Sequence, residues 1–208
     1  MKLLLFFLTA FTLAACSLSR ETAYKAPKKA MTCAEYCAWA QSAEYPYRDT
    51  QTVNNVHYVL EYLPTELEVA QQLRGKRITT EEAQTWLSED NADLHFLLTI
   101  ITPTAGTDLY HFDLGEEESS ADRSTYYAFA FKNDIHLVTT KDSIAPGGYL
   151  HERGLANYPV AKFSLDFPKS ALKESASFTI NDKHLTQSAI SFSVKDWHTI
   201  KIPTLHIQ

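Results

Sequence analysis

Phe163-Ser164-Leu165-Asp166-Phe167-Pro168 alternates large apolar with polar residues and stops at a proline. A period of two marks a strand with one face buried. The same period recurs at Phe178 and Ile180, and again at Ile190, Phe192 and Val194. A last segment runs through Ile200 and Ile202 to Pro203, then Leu205 and Ile207. Upstream, Tyr127, Phe129 and Phe131 alternate with Ala128 and Ala130, Lys132-Asn133-Asp134 reads as a turn, and Ile135 and Leu137 continue beyond it, which predicts a β-hairpin. Short strands at such spacing, joined by polar turns, predict an antiparallel sandwich or a curved sheet.

The N-terminal half mixes this pattern with helices. Val56-His57-Tyr58-Val59-Leu60-Glu61-Tyr62-Leu63 is β-branched and aromatic, and Pro64 stops it. Thr32-Cys33-Ala34-Glu35, Thr65-Glu66-Leu67-Glu68 and Thr79-Thr80-Glu81-Glu82 each have the form of a capping box. They open predicted helices over 33–42, over 65–75 ending at Gly75, and through Ala83, Trp86 and Leu87. Residues 94–101 form a nearly continuous apolar run before Pro103, as expected of a strand buried on both faces. The expected fold class is α+β, β-dominant, with two or three short helices in the N-terminal half and one globular domain over 30–208.

Residues 1–16 carry a different signal. Lys2 precedes an apolar run that ends in Leu13-Ala14-Ala15-Cys16. The run falls short of the roughly 20 residues that span a bilayer as a helix and ends in small residues, as a cleaved signal does. The segment resembles the bacterial lipobox at every position. That resemblance implies a signal peptide over 1–15 and a mature protein beginning at Cys16, palmitoylated and carrying several acyl chains, enough for durable anchoring. An ordinary secretory signal with a cysteine after its cleavage site is the alternative. Ser17 stands where an aspartate would retain an enteric-type lipoprotein at the inner membrane, so the resemblance implies the outer membrane, in either leaflet. Residues 16–29, with Arg20, Lys25, Pro27, Lys28 and Lys29, read as a flexible tether. About a dozen such residues span roughly 20 Å, and each basic residue adds about 1 kcal/mol of attraction to anionic lipid.

The net charge of −6 becomes one more negative when Lys2 is removed, which argues against nucleic acid as a partner, because phosphate binding needs clustered positive charge. Aromatic residues make up 12% of the chain, the composition of a core-forming domain rather than a disordered one. No internal repeat is evident.

Candidate chemistry is sparse. Cys33 and Cys37 lie one turn apart on the predicted first helix: an oxidising compartment favours a disulfide, helical Cβ directions oppose one, and both states stay open. Two thiols alone fall short of a metal site. Asp113, Glu116, Glu117, Glu118 and Asp122, with His111 nearby, form an acidic cluster without EF-hand spacing, better read as a solvated loop than as a calcium site. His151-Glu152-Arg153 follows the glycine-bearing Pro146-Gly147-Gly148-Tyr149 and is the one low-priority polar site for acid–base work. Position 155 is Leu155, so no H-E-x-x-H zinc motif exists, and no G-x-S-x-G elbow occurs. Tyr45, Tyr47, Tyr126, Tyr127, Tyr149 and Tyr158 could line a sugar- or protein-binding surface, although core and sheet-edge positions suit them equally. Trp197 is expected to cap the core.

Beyond the lipobox, Asp134-Ile135-His136-Leu137-Val138, Tyr149-Leu150-His151-Glu152-Arg153 and the 163–168 strand resemble uncharacterised Bacteroidota-type lipoproteins. That resemblance implies an accessory envelope protein and transfers no activity. The sequence reading is therefore a lipid-anchored, non-enzymatic cell-envelope protein that binds a protein partner or serves as an assembly subunit, with no cofactor and no metal. A carbohydrate- or small-ligand-binding module is the alternative, and a hydrolase using His151 and Glu152 comes third.

Overall fold

The computed structural model describes residues 28–89, 93–103, 107–115, 118–152, 158–186, 188–194 and 196–207, with backbone alone at 172–176. Two antiparallel sheets face each other across an aromatic core. The first comprises β2 (Arg48–Val53), β3 (Val56–Leu63), β4 (Asp93–Ile101), β7 (Gly148–Glu152) and β8 (Val160–Pro168), in the order β2-β3-β4-β8-β7. The second comprises β5 (Ile135–Thr139), β6 (Ser143–Ile144), β9 (Ser175–Ile180) and β10 (Ile190–Ser193), in the order β10-β9-β5-β6. A third, parallel pair joins β1 (Ala30–Thr32) to β11 (Thr204–His206), with Met31 opposite Leu205. The fold is thus α+β with β dominant, and the sheets do not close into a barrel.

Alternation decides which side chains meet. Phe96 and Leu98 of β4 and Phe163, Leu165 and Phe167 of β8 are buried on the inner face, where Phe96 and Phe167 lie 5.8 and 5.9 Å from the Phe178 ring of β9. Trp197 stacks on Phe96 at 6.2 Å and closes this cluster as expected. Each such ring contributes about 1.5–3 kcal/mol by leaving water. The outer face reads in rows across the register: Leu63, His95, Asp166 and Gly148 in one, and Glu61, Leu97, Ser164 and Leu150 in the next. β4 is therefore fully covered on its inner face, but His95 and Leu97 are only half-buried on the outer one, short of the two-sided burial its apolar run suggests.

Three helices occupy the N-terminal half: α1 (Cys33–Gln41), α2 (Thr65–Arg74) and α3 (Thr80–Ser88). The Thr32–Glu35 and Thr79–Glu82 capping boxes form with both reciprocal hydrogen bonds. The Thr65–Glu68 box does not. Pro64 is the N-cap, so Glu68 lies one position too far along to reach back and is free to face elsewhere. At the other end Gly75 keeps right-handed geometry, and Lys76 takes the left-handed turn at φ 53°. Lys76 N–H donates to Leu73 O and Arg77 N–H to Gln72 O, a Schellman cap with lysine where glycine is usual.

The predicted strand at residues 127–131 is helical instead. Ser119 accepts from the Asp122 amide and starts α4 (Ser120–Thr125), which continues as a π-turn over Tyr126–Ala130 and a 3-10 turn over Phe131–Asp134. Tyr127 and Phe131 thereby face the Phe163 ring, while Phe129 points to solvent at 71% exposure. The intervening alanines suit a helix better than a strand. The return strand at Ile135 is real, but it pairs with β6 and β9. Gly148 likewise opens strand β7, with Gly147 just before it, and the expected terminal strand is confined to β11, leaving Ile200 and Ile202 outside it.

Candidate functional site

A cleft of about 850 Å³ lies between the α1–α2 pair and the outer face of the five-stranded sheet. Its floor carries Leu97 and Ser164, with Lys162 and Glu152 at one side and Arg48 and Glu61 at the other. Helix α2 supplies Glu68, Gln71, Gln72 and Arg74, and Arg77 follows at its end. Strand parity delivers these groups, since Glu61, Leu97, Ser164, Lys162 and Glu152 all occupy outward positions.

Arg48 is fully engaged. Its Nε donates to Glu61 Oε1 at 2.8 Å, its Nη1 to Ser42 O at 3.0 Å and its Nη2 to Ala40 O, and its guanidinium lies 5.5 Å from the Tyr45 ring centre. That clamp ties the end of α1 to the sheet edge and neutralises Glu61. Arg74, Arg77 and Lys162, by contrast, make no side-chain hydrogen bond or ion pair among the described residues. Glu152 stands opposite Lys162 in the register without reaching it.

At the end of the same face, His95 Nδ1 lies 2.7 Å from Asp166 Oδ1, and its Nε2 lies 4.0 Å from Glu68 Oε2. The Asp166 carboxylate lies flat against Gly148: a Cβ there would stand 2.1 Å from Oδ2 and 2.8 Å from Cγ. Burial under α2 raises the Glu68 carboxyl above its usual range, His95 partly opposes this, and Asp166 adds to it. Asp166 thus holds the His95 ring with its other nitrogen towards the Glu68 carboxylate. The imidazole also ties α2 to the sheet.

Of the sequence candidates, Glu152 and Cys37 line the cleft and His151 does not. His151 and Glu152 are neighbours on β7 and face opposite sides: His151 stacks on Phe163 at 4.6 Å, with its Nε2 3.2 Å from the Tyr110 hydroxyl, whereas Glu152 lines the cleft. They do not form one acid–base unit. Arg153 lies outside the described residues, as does Cys16. Cys33 and Cys37 are free thiols on an unbroken helix, and burial raises the Cys33 thiol above its usual range.

The acidic cluster is spent on structure. Glu118 binds the fully buried Arg123 and also pairs with His184. Asp122 bonds the Ser119 hydroxyl at 2.6 Å, and His111 Nδ1 turns to Asp108 at 2.7 Å rather than to Asp113. Glu116 and Glu117 lie outside the described residues. Among the described residues no group of three His, Cys, Asp or Glu side chains is placed to hold a metal. Tyr45, Tyr47, Tyr126 and Tyr127 are buried, Tyr149 is half-buried with its hydroxyl on Tyr127 O, and Tyr158 alone of the six is exposed. None of the six lines the cleft, so no aromatic platform for a sugar is assembled there.

Sequence reading missed Arg123, Asp182 and the His95–Asp166–Glu68 group. Asp182 accepts from the hydroxyls of Tyr127 at 2.9 Å and Tyr58 at 3.3 Å, and from the amides of His184 and Leu185. A partial signal for the surface group was present: His95 interrupts the apolar run 94–98, and Asp166 takes a polar position in the alternation of 163–168. No protein family, curated protein or solved structure matches the chain. Among the described residues no helix is long and apolar enough to cross a membrane.

Proposed function

We propose that this is a lipid-anchored cell-envelope protein that binds another envelope protein through the α1–α2 cleft, as a non-enzymatic subunit or adaptor at the outer membrane. The cleft carries this reading: an open, polar-walled groove whose exposed Arg74, Arg77 and Lys162 have no side-chain partner among the described residues is suited to recognition of a charged surface. Its address comes from the lipobox-like Leu13-Ala14-Ala15-Cys16. The α1 wall begins at Cys33, directly after the segment leading from Cys16, and Lys28 is already tied to it through Glu35 at 2.6 Å. A short tether therefore presents the cleft close to the headgroups.

In-cell crosslinking and affinity isolation, run beside Cys16→Ser and Arg74→Glu/Arg77→Glu forms, test this. A defined set of envelope proteins should be recovered with the parent, lost with the double substitution, and reduced with Cys16→Ser, while mass spectrometry finds acyl chains on Cys16. An unmodified Cys16 removes the anchor, and recovery that ignores the double substitution removes the cleft.

A further inference from the structure

We infer that the cleft recognises a carboxylate-bearing peptide segment, engaged by Arg74 and Arg77 at the end of α2 and by Lys162 on the sheet floor. This deepens the binding role given above and rests on it only in taking a peptide as the occupant. Arg48 is satisfied by a carboxylate and two carbonyls, so it is a wall and not a contact. The three remaining cations are exposed and carry no side-chain partner among the described residues, in a chain whose net charge is −6. Arg77 is held at the helix end, where it lines the cleft. The left-handed turn at Lys76 folds the chain back over the helix end, and Arg77 Nε comes within 3.5 Å of the position that a Cβ on Gly75 would take.

The spacing of charges selects the ligand class. A lone phosphate would need the cations to converge, whereas Arg74 ends α2, Arg77 follows it and Lys162 stands across the groove on β8. Gln41, Gln71 and Gln72 line the same groove with amides that both donate and accept, as a peptide backbone does. Glu68 and Glu152 interrupt the positive wall. They would repel a continuous polyanion such as nucleic acid or an anionic bilayer but tolerate carboxylates placed at intervals. Arginine suits a carboxylate, which it can grip with two parallel N–H bonds.

A fluorescein-labelled Glu-Gly-Ser-Glu-Gly-Ser-Glu peptide, whose carboxylates stand at intervals, titrated by anisotropy into the full chain carrying Cys16→Ser at low ionic strength, tests the inference without involving the anchor. Saturable binding is expected, weakening with salt as exposed charge pairs do. Lys162→Gln should weaken it about three- to fivefold, and Arg74→Gln/Arg77→Gln about tenfold, the range of exposed ion pairs. Lys132→Gln, outside the cleft, should leave it unchanged. Three outcomes overturn it: no saturable binding, equal binding of the same peptide with glutamine in place of each glutamate, or indifference to both cleft variants. Displacement by inorganic phosphate at matched ionic strength overturns it too, in favour of a phosphate site. An unacylated Cys16 would sink the anchoring proposal and leave these titrations untouched.

Discussion

Glu118 closes both carboxylate oxygens on the guanidinium of Arg123, with Oε1 2.9 Å from Nε, at a side chain that has no exposure to solvent. The remaining guanidinium hydrogens go to Leu109 O, Phe112 O and Asp113 O, so one buried cation holds the 109–113 turn against α4. Removing one partner of such a pair leaves a charge uncompensated out of water. Glu118→Gln is expected to cost about 3 kcal/mol in urea unfolding at neutral pH. The Arg123 hydrogen bonds hold the Glu118 carboxyl below its ordinary range, helped by His184. Its stabilisation is therefore present above the ordinary carboxylate pKa and is lost as pH falls beneath it. The gap between parent and variant should narrow in acid.

Tyr127→Phe is expected to cost about 2 kcal/mol, the worth of a hydrogen bond to a buried charged group. Burial raises the Asp182 carboxyl, and the Tyr127 hydroxyl lowers it again. Without the hydroxyl the folded-state pKa climbs further, so the ionised form becomes less favourable at neutral pH. The cost should shrink as pH falls into the carboxylate range, where Asp182 is protonated in both states. Chemical denaturation of parent and variant across that range checks it.

Gly148→Ala should disturb Asp166 and, through it, His95. The added Cβ meets Asp166 at Oδ2, Cγ and Cβ, so rotating the carboxylate alone does not clear it. A loss of about 1–3 kcal/mol is expected for such overpacking. A shift in the His95 imidazole NMR signals should accompany it, whereas Gly147→Ala, with its nearest contact at 3.9 Å, should leave them in place.

Lys76→Gly should stabilise the domain by about 1 kcal/mol, because a side chain in the left-handed region is strained and glycine is not. Asn55→Gly, in the two-residue hairpin between β2 and β3, acts in the same direction with a smaller gain, since asparagine tolerates that region. Thermal melts of the two single variants and the double check both the sign and the additivity.

Legibility in the sequence followed the strength of periodicity. Residues 163–168, 178–180 and 190–194 read as strands because one face is wholly buried and the alternation is unbroken. Residues 127–131 misled for the opposite reason: Ala128, Phe129 and Ala130 fit a period of two by chance, while the Ser119 cap upstream set a helical course. β2 was invisible because an edge strand reading Arg-Asp-Thr-Gln-Thr-Val has little apolar contrast. The cleft was equally hidden. Its groups come from α1, β2, β3, α2, β4, β7 and β8, and only the cross-strand register brings Glu61, Leu97 and Ser164 into one row. Glu68 had the form of a cap, and it took the position of Pro64 to turn it toward His95.

The parallel pairing of β1 with β11 sets an order of events. The earliest described strand has its partner at the far end of the described chain, and Lys29 O accepts the Thr204 amide as the pairing begins. A polypeptide threading a narrow channel N-terminus first would emerge with β1 unpaired and hold it so until β11 followed. Closing that longest of loops comes late on entropic grounds as well. The final strand thus works as a latch, and β1 acquires its footing only after almost everything else is in place.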